Sequence, residues 1–282
     1  MIFSGKNFSF ELGKKTYVMG ILNVTDDSFF DGGKYNSPQK AVEHTKRMLN
    51  EGADIIDIGA HSTRPNHKVL TPDEELEILK NYLPLIYNET GAVISVDTFY
   101  PSVAEYALQN GASIINDVSG VFNPEMARLI KEYECGWIMM HTGGGDSSTI
   151  PEYKNDIITE VKKFFVDSIN KCEEFGICKN QLCMDVGIGF GKCHEHNLEL
   201  IKNFIKVKID DVAMIMALSS KRVVKLSTNS EKDDLVYGTI TGNVLAISGG
   251  ADIIRVHNVK ENVLSAKMAD AVVRGNYGQD NC

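Results

Sequence analysis

Tyr17-Val18-Met19-Gly20-Ile21-Leu22-Asn23 is a short apolar run that stops on a polar side chain, and seven more runs repeat that arrangement. Ala53 to Ile58 stops before Gly59 and His61, Val93 to Val96 at Asp97, and Ser113 to Ile115 at Asn116. Trp137 to Met140 stops at His141, and Leu182 to Met184 at Asp185. Val212 to Leu218 stops at Ser219, Ser220 and Lys221, and Asp252 to Ile254 at Arg255 and His257. Runs this short, with little alternation, suit parallel strands buried on both faces. Eight of them, each followed by a helix-length segment, predict an α/β chain folded as a (β/α)8 TIM barrel, whose reactive groups lie at the strand C-termini. One polar residue at a strand end is ordinary turn chemistry. Asp, Asn, Asp, Lys and Arg at five ends together point to an enzyme, although a salt-bridge network closing the barrel top would use the same groups.

The intervening segments carry helix signals. Ser37-Pro38 opens one that runs to Glu51-Gly52, with Pro in the first turn and Gly beyond the last. Thr71-Pro72-Asp73-Glu74-Glu75 opens another with acids where the helix dipole favours them. The longest pattern runs from Asp156 to Phe175 and ends at Gly176. Met1 to Lys14 reads as two short strands around Gly5-Lys6-Asn7, a hairpin placed to cap the barrel bottom. With no linker or low-complexity break, residues 1–282 are expected to form one domain.

Composition excludes several classes. A net charge of -9 argues against a nucleic-acid partner, which is held mainly by clustered Lys and Arg. The longest apolar run, Val212 to Leu218, is far too short to cross a membrane, and the amino terminus lacks a secretory pattern. The six cysteines form no C-x-x-C pair, so free thiols in the cytoplasm are expected rather than a zinc or dithiol site.

Asp97, Asn116 and Asp185 are short polar side chains on rigid strand ends. A buried carboxylate needs donors, and a planar ligand edge with an amino group beside a ring N–H supplies two, as pterins and guanines do. Lys221 and Arg255 add positive charge for an anionic tail. The run Asp185-Val186-Gly187-Ile188-Gly189-Phe190-Gly191-Lys192 is glycine-rich enough for close backbone approach to a ligand. It is not a nucleotide P-loop, because the spacing is wrong and Cys193 replaces the hydroxyl that would hold Mg2+. Met139 and Met140 read as core. His194-Glu195-His196 is a solvated turn rather than a metal pair, since i and i+2 do not share a helix face. His141 borders the strand ends without an assignable role, and Gly143 to Ser148 reads as a flexible rim loop.

Seven blocks in order carry a family resemblance: GILNVTDDSFFDGG from Gly20, GADIIDIGAHSTRP from Gly52, SVDT from Ser95, GASIINDVSG from Gly111, DVGIGFGK from Asp185, SSK from Ser219, and GADIIRVHNV from Gly250. From about Met19 to Val259 the chain resembles dihydropteroate synthase, a sulfonamide target of folate biosynthesis. The resemblance implies condensation of 6-hydroxymethyl-7,8-dihydropterin diphosphate with 4-aminobenzoate, Mg2+ as cofactor, and a homodimer formed through outer helices. By position, Asp97, Asn116, Asp185 and Lys221 match the family's pterin-pocket residues. Asn23, Arg255 and His257 match the groups that hold the diphosphate and its Mg2+, with Asn23 as the metal ligand. Phe29, Pro65 and Phe190 match positions around the aminobenzoate ring, and Asp31, Thr63 and Arg64 match loop positions that complete the closed site.

The chain departs from the family pattern at several points. Thr25-Asp26-Asp27 stands where Thr-Pro-Asp is usual, His61 replaces Glu, and Val186 replaces Pro. Ser219-Ser220-Lys221 replaces Ser-Arg-Lys, which removes one cation, while Arg222 is expected to point elsewhere. Asn258 replaces Asp, and either residue can cap the following helix. The pterin pocket is intact, so an active synthase is expected. The alternatives are a pterin-binding paralogue without condensation, or a methyltetrahydrofolate-binding methyltransferase barrel, which lacks the first-loop and Ser-Thr-Arg-Pro motifs.

Overall fold

The computed structural model describes residues 1–24, 37–60 and 70–275. After the antiparallel pair β1 (Ile2–Gly5) and β2 (Phe8–Glu11), eight parallel strands close into a barrel. They are β3 (Tyr17–Asn23), β4 (Ile55–Gly59), β5 (Ile94–Asp97), β6 (Ala112–Asp117), β7 (Gly136–Met140), β8 (Leu182–Asp185), β9 (Ala213–Met216) and β10 (Ile253–Val256). Each pairs with the next, and β10 returns to β3. The helices are α1 (Pro38–Glu51), α2 (Pro72–Thr90), α3 (Pro101–Gln109), α4 (Pro124–Tyr133), α5 (Ile157–Phe175), α6 (His194–Lys202), α7 (Phe204–Val207), α8 (Arg222–Thr228), α9 (Leu235–Ser248) and α10 (Val259–Arg274). All eight expected strands form. The seventh is shorter than its apolar run because Ala217 and Leu218 already lead into the turn at Ser219.

Strand side chains alternate between the two faces of the sheet. Outward residues such as Val18, Ile56, Val96, Trp137, Met184 and Ile254 pack with the helix faces in one continuous core. Inward residues Met19, Ile55, Ile114, Ile138, Cys183, Ile215 and Ile253 form a second core together with Phe3, Phe8 and Phe10 of the hairpin. The hairpin therefore plugs the barrel bottom, as its sequence predicts. Phe3 meets Phe8 edge-on at 5.0 Å, and Phe10 lies 4.5 Å from the Tyr17 ring. Gly136 admits this plug, since a Cβ there would lie 2.8 Å from Phe3 and 2.9 Å from Phe8.

Helix ends follow the sequence signals with one exception. The Ser37 hydroxyl accepts from the Lys40 amide, and Thr71 with Glu74 completes a reciprocal capping box on α2. Asn258 precedes α10, yet its side chain makes no cap hydrogen bond; its carbonyl accepts from Asn262 Nδ2 at 2.8 Å instead. A buried ion pair closes the barrel seam: Asp270 accepts from the Thr16 amide and hydroxyl, each at 2.7 Å, and from Arg274 Nε at 2.7 Å. Arg274 also donates to the Ala251 carbonyl ahead of β10.

Because Phe3 is fully buried between the hairpin and the lowest barrel layer, Phe3→Ala should lower unfolding stability by about 3–5 kcal/mol. The measurement is urea denaturation. A midpoint unchanged from wild type would mean that the plug contributes nothing to barrel stability.

Candidate active site

Two residues beyond the apolar plug layer, on the same inward face, the chemistry changes. Ile55 is followed at that spacing by Asp57, Ile114 by Asn116, Cys183 by Asp185, and Ile253 by Arg255. Strand register completes the ring, with Asn23 beside Gly59, Gly59 beside Asp97, and Asp97 beside Asn116. A parallel barrel thus turns a two-residue step in sequence into a layer boundary, with hydrocarbon below and ionisable groups above.

Arg255 organises one side of this layer. Its Nε donates to Asp57 Oδ2 at 2.6 Å and its Nη2 to Asp97 Oδ2 at 3.1 Å, while Asn116 Nδ2 donates to the same Asp57 oxygen at 3.2 Å. Burial opposes the guanidinium's charge, but Asp57 and Asp97 outweigh it and leave the Arg255 pKa raised. Asp57 is fully buried. Sequence reasoning assigned it no role, although a carboxylate between Ile56 and Ile58, in phase with Ile55, was a readable signal. In this arrangement Arg255, matched by resemblance to a diphosphate-holding group, is paired with carboxylates.

Asp185 and Lys221 form the other side. Burial raises the Asp185 pKa against the lowering effects of Lys221, the Gly187 amide and Lys192; that amide donates to Oδ1 at 2.8 Å. Burial also draws the Lys221 ammonium down to about 8, although Asp185 opposes it. Lys221 Nζ donates to the Ile188 carbonyl at 2.7 Å and lies 4.9 Å from the centre of the Phe190 ring. Two of the three intervening glycines, Gly187 and Gly191, pack tightly within the chain itself, while a Cβ at Gly189 would meet only the Lys221 side chain, at 3.5 Å. A Cβ at Gly187 would lie 2.0 Å from the His141 carbonyl, and one at Gly191 2.0 Å from that of Thr142.

The neighbouring turns are tied down. Ser219 Oγ lies 3.0 Å from His257 Nδ1 and accepts the His257 amide at 3.2 Å, fixing the ring beside the β10 end. Ser220, where the resemblance sets Arg, sits in the left-handed region at φ 56° and donates its amide to Thr239 Oγ1. Arg222 is exposed on the first turn of α8, as expected. In the Gly143 to Ser148 segment, Asp146 Oδ1 accepts from the amide and hydroxyl of both Ser148 and Thr149. His194 and His196 open α6 without joining a metal cluster among the described residues. Phe29, Asp31, Thr63, Arg64 and Pro65, with Asp26 and His61, lie outside the described residues.

A closed parallel barrel whose inner rim carries three carboxylates, an amide, a guanidinium and an ammonium belongs among the barrel enzymes that take a polar, donor-edged ligand. Residues 19–257 match a family described as pterin binding enzyme. The chain is 37% identical over 270 residues to a dihydropteroate synthase of Clostridium beijerinckii, covering 94% of this chain and 97% of that one. It is 38% identical over 262 residues to that of Bacillus subtilis, covering 92% and 90%. Among solved structures, the Clostridium difficile dihydropteroate synthase with pteroic acid superposes with a TM-score of 0.87 at 39% identity, covering 94% of this chain and 99% of that chain. The Thermus thermophilus enzyme with 4-aminobenzoate gives 0.84 at 30% identity, covering 96% and 100%. The chain belongs to the dihydropteroate synthase family of pterin-binding enzymes.

The Asp57–Arg255–Asp97 arrangement yields a stability test. Asp57→Ala removes one partner of a buried pair and should lower unfolding stability by about 3–5 kcal/mol, whereas Asp57→Asn, which keeps an oxygen for Arg255 Nε, should lose less. Denaturant midpoints for both variants check the order; equal losses would show that the Arg255 contact carries none of the effect.

Proposed function

We propose that this chain joins 6-hydroxymethyl-7,8-dihydropterin diphosphate to 4-aminobenzoate, giving 7,8-dihydropteroate and diphosphate. The observation that carries this reading is the gathering of Asp97, Asn116, Asp185, Lys221 and Arg255 on one buried inner rim, three of them linked through Asp57 and Arg255. Asp185 accepts from the amino and ring N–H donors of the pterin edge, and Asn116 and Asp97 complete that edge. The C–O bond to diphosphate breaks with its electron pair leaving on oxygen, so positive charge develops at the pterin methylene. The Asp57, Asp97 and Asp185 carboxylates stabilise that charge from fixed positions. The lone pair of the neutral aniline nitrogen then forms the C–N bond, and the proton it sheds leaves with diphosphate or solvent. Lys221 and Phe190 flank the path of attack, while the family resemblance assigns Phe29, Thr63, Arg64, Pro65 and Asp31 to the aminobenzoate side of the reaction.

Diphosphate departs toward Asn23, Arg255 and His257. No cluster of metal-ligating carboxylates or histidines occurs among the described residues. The Asn23 amide oxygen is a hard donor that would suit Mg2+, which keeps few protein ligands. When bound there, Mg2+ supplies charge neutralisation of the leaving group. The chain's own part is to orient the anion: His257 is fixed by Ser219, and Arg255 is held on the rim by Asp57 and Asp97.

The reading includes a homodimer. On α10, Leu264, Met268 and Val272 are spaced four apart and exposed at 60%, 67% and 69%, and α9, packed against α10, exposes Tyr237 and Leu245 at 69% and 53%. Side chains four apart share one helix face, and an apolar stripe on adjoining helices suits a second copy of this chain. The cytoplasm suits it too. No helix among the described residues is long and apolar enough to cross a membrane, and five described cysteines are free, as a reducing compartment requires.

Three outcomes follow. Wild-type protein should release diphosphate from the pterin diphosphate in a 4-aminobenzoate- and Mg2+-dependent manner, and Asp185→Asn should weaken pterin binding at least tenfold while remaining folded, since the amide loses a charged acceptor. Calorimetry with a diphosphate-release assay checks both; pterin binding without product would leave a binding protein rather than a synthase. Met268→Glu should shift the protein to monomer in sedimentation velocity, and an unchanged assembly would remove α10 from the interface.

A further inference from the structure

Lys192 ends the glycine run whose spacing ruled out a phosphate loop, and its side chain is used differently. It turns inward and is almost fully buried. Nζ donates to the carbonyls of His141 at 2.8 Å, Phe190 at 2.9 Å and Gly187 at 3.1 Å. An ammonium has three N–H donors and no acceptor, so three converging carbonyls match it one for one. The convergence depends on backbone that only glycine adopts comfortably, with Gly187, Gly189 and Gly191 at φ 68°, 85° and 58°.

The same stretch of backbone touches the site. Gly187, whose carbonyl Lys192 holds, donates its amide to Asp185 Oδ1; Ile188, between two held positions, accepts from Lys221 Nζ at 2.7 Å. Phe190, whose carbonyl is the third acceptor, carries the ring beneath that ammonium. Other bonds fix the outer side of the loop: Gly189 N to Asn197 Oδ1, Gly191 N to the Asp146 carbonyl, and Tyr153 hydroxyl to the Gly191 carbonyl. None of those reaches the inner side, where Asp185 and Lys221 stand.

We propose that the Lys192 ammonium is a three-way main-chain clamp that sets Asp185 and Lys221 for the pterin, which makes Lys192 a positioning residue of the reaction. The proposal rests on the pterin reading of the site given above. A neutral amine offers only two donors and would turn a lone pair toward a carbonyl, so the clamp needs the charged form. Burial lowers the Lys192 pKa to about 7, with Asp185 opposing and Lys221 adding to the shift. Just past β7, His141 is its neutral neighbour, the imidazole pKa drawn down to about 3 by burial and by Lys192. The clamp is therefore set below about pH 7 and released as pH rises through that value.

The test uses the full-length chain. Lys192→Met should fold, as judged by thermal melting, but bind 6-hydroxymethylpterin at least threefold more weakly by calorimetry, with KM for the pterin diphosphate rising more than kcat falls. Wild-type pterin affinity should drop between pH 6 and pH 8, and that drop should be shallower in Lys192→Met, a difference that a purely structural role would not produce. A folded variant with less than a threefold loss, or with the wild-type pH profile, overturns the proposal. If Lys192→Met does not fold, Lys192→Gln, which keeps two donors, is read by the same criteria, and failure of both to fold makes Lys192 a folding element and also overturns it. Wild-type protein that binds no pterin at any pH overturns the pterin reading itself, an outcome distinct from a variant that binds as wild type does.

Discussion

In a closed eight-stranded sheet every inward side chain faces the other strands across a narrow, dry interior, so a charge placed there must find its partners inside the barrel. Arg255 meets that constraint by bridging Asp57 and Asp97, and Asn116 takes up the other side of Asp57. These bonds link β4, β5, β6 and β10. They are possible because the layer beneath them is sealed by hydrocarbon: Phe3, Phe8 and Phe10 fill the bottom of the barrel and keep water from entering there. The plug and the ion network are thus two halves of one arrangement.

Such a network sits badly as stabilisation alone, since desolvating two carboxylates and a guanidinium offsets much of their mutual attraction. Its burial is better understood through the chemistry. Groups already held in place, in low dielectric, act on a developing charge without first reorganising. The opposing shifts follow from the same cause: burial raises Asp185 and lowers Lys221 and Lys192, each group being pushed toward its neutral form. A ligand that brings donors to Asp185 relieves part of that cost.

The loop after β8 shows how backbone serves side chains here. Three glycines with positive φ let it fold onto the ends of β7, and the carbonyls exposed by that fold converge on Lys192. Within the run Gly-x-Gly-x-Gly-Lys, Gly187 and Gly191 make their close approach to His141 and Thr142. The turn at Ser219 to Lys221 works similarly, with Ser219 fixing His257 and Thr239 holding the Ser220 amide.

By itself the sequence determined the eight strands, their order, the hairpin plug, the helix caps at Ser37 and Thr71, and the level at which Asn23, Asp97, Asn116, Asp185 and Arg255 stand. All of these follow from local periodicity and chain connectivity, which right-handed parallel crossovers convert directly into position. The sequence did not reveal that Arg255 is shared between Asp57 and Asp97, that Ser219 holds His257, or that Lys192 turns inward. Those pairings join residues 158 and 198 positions apart for Arg255 and 38 for Ser219 with His257. Even for Lys192, only two to five residues from two of its acceptors, the third lies 51 positions away. Which donor meets which acceptor was decided only when barrel closure brought the strand ends within hydrogen-bonding distance, because these contacts depend on angles and separations that no local pattern encodes.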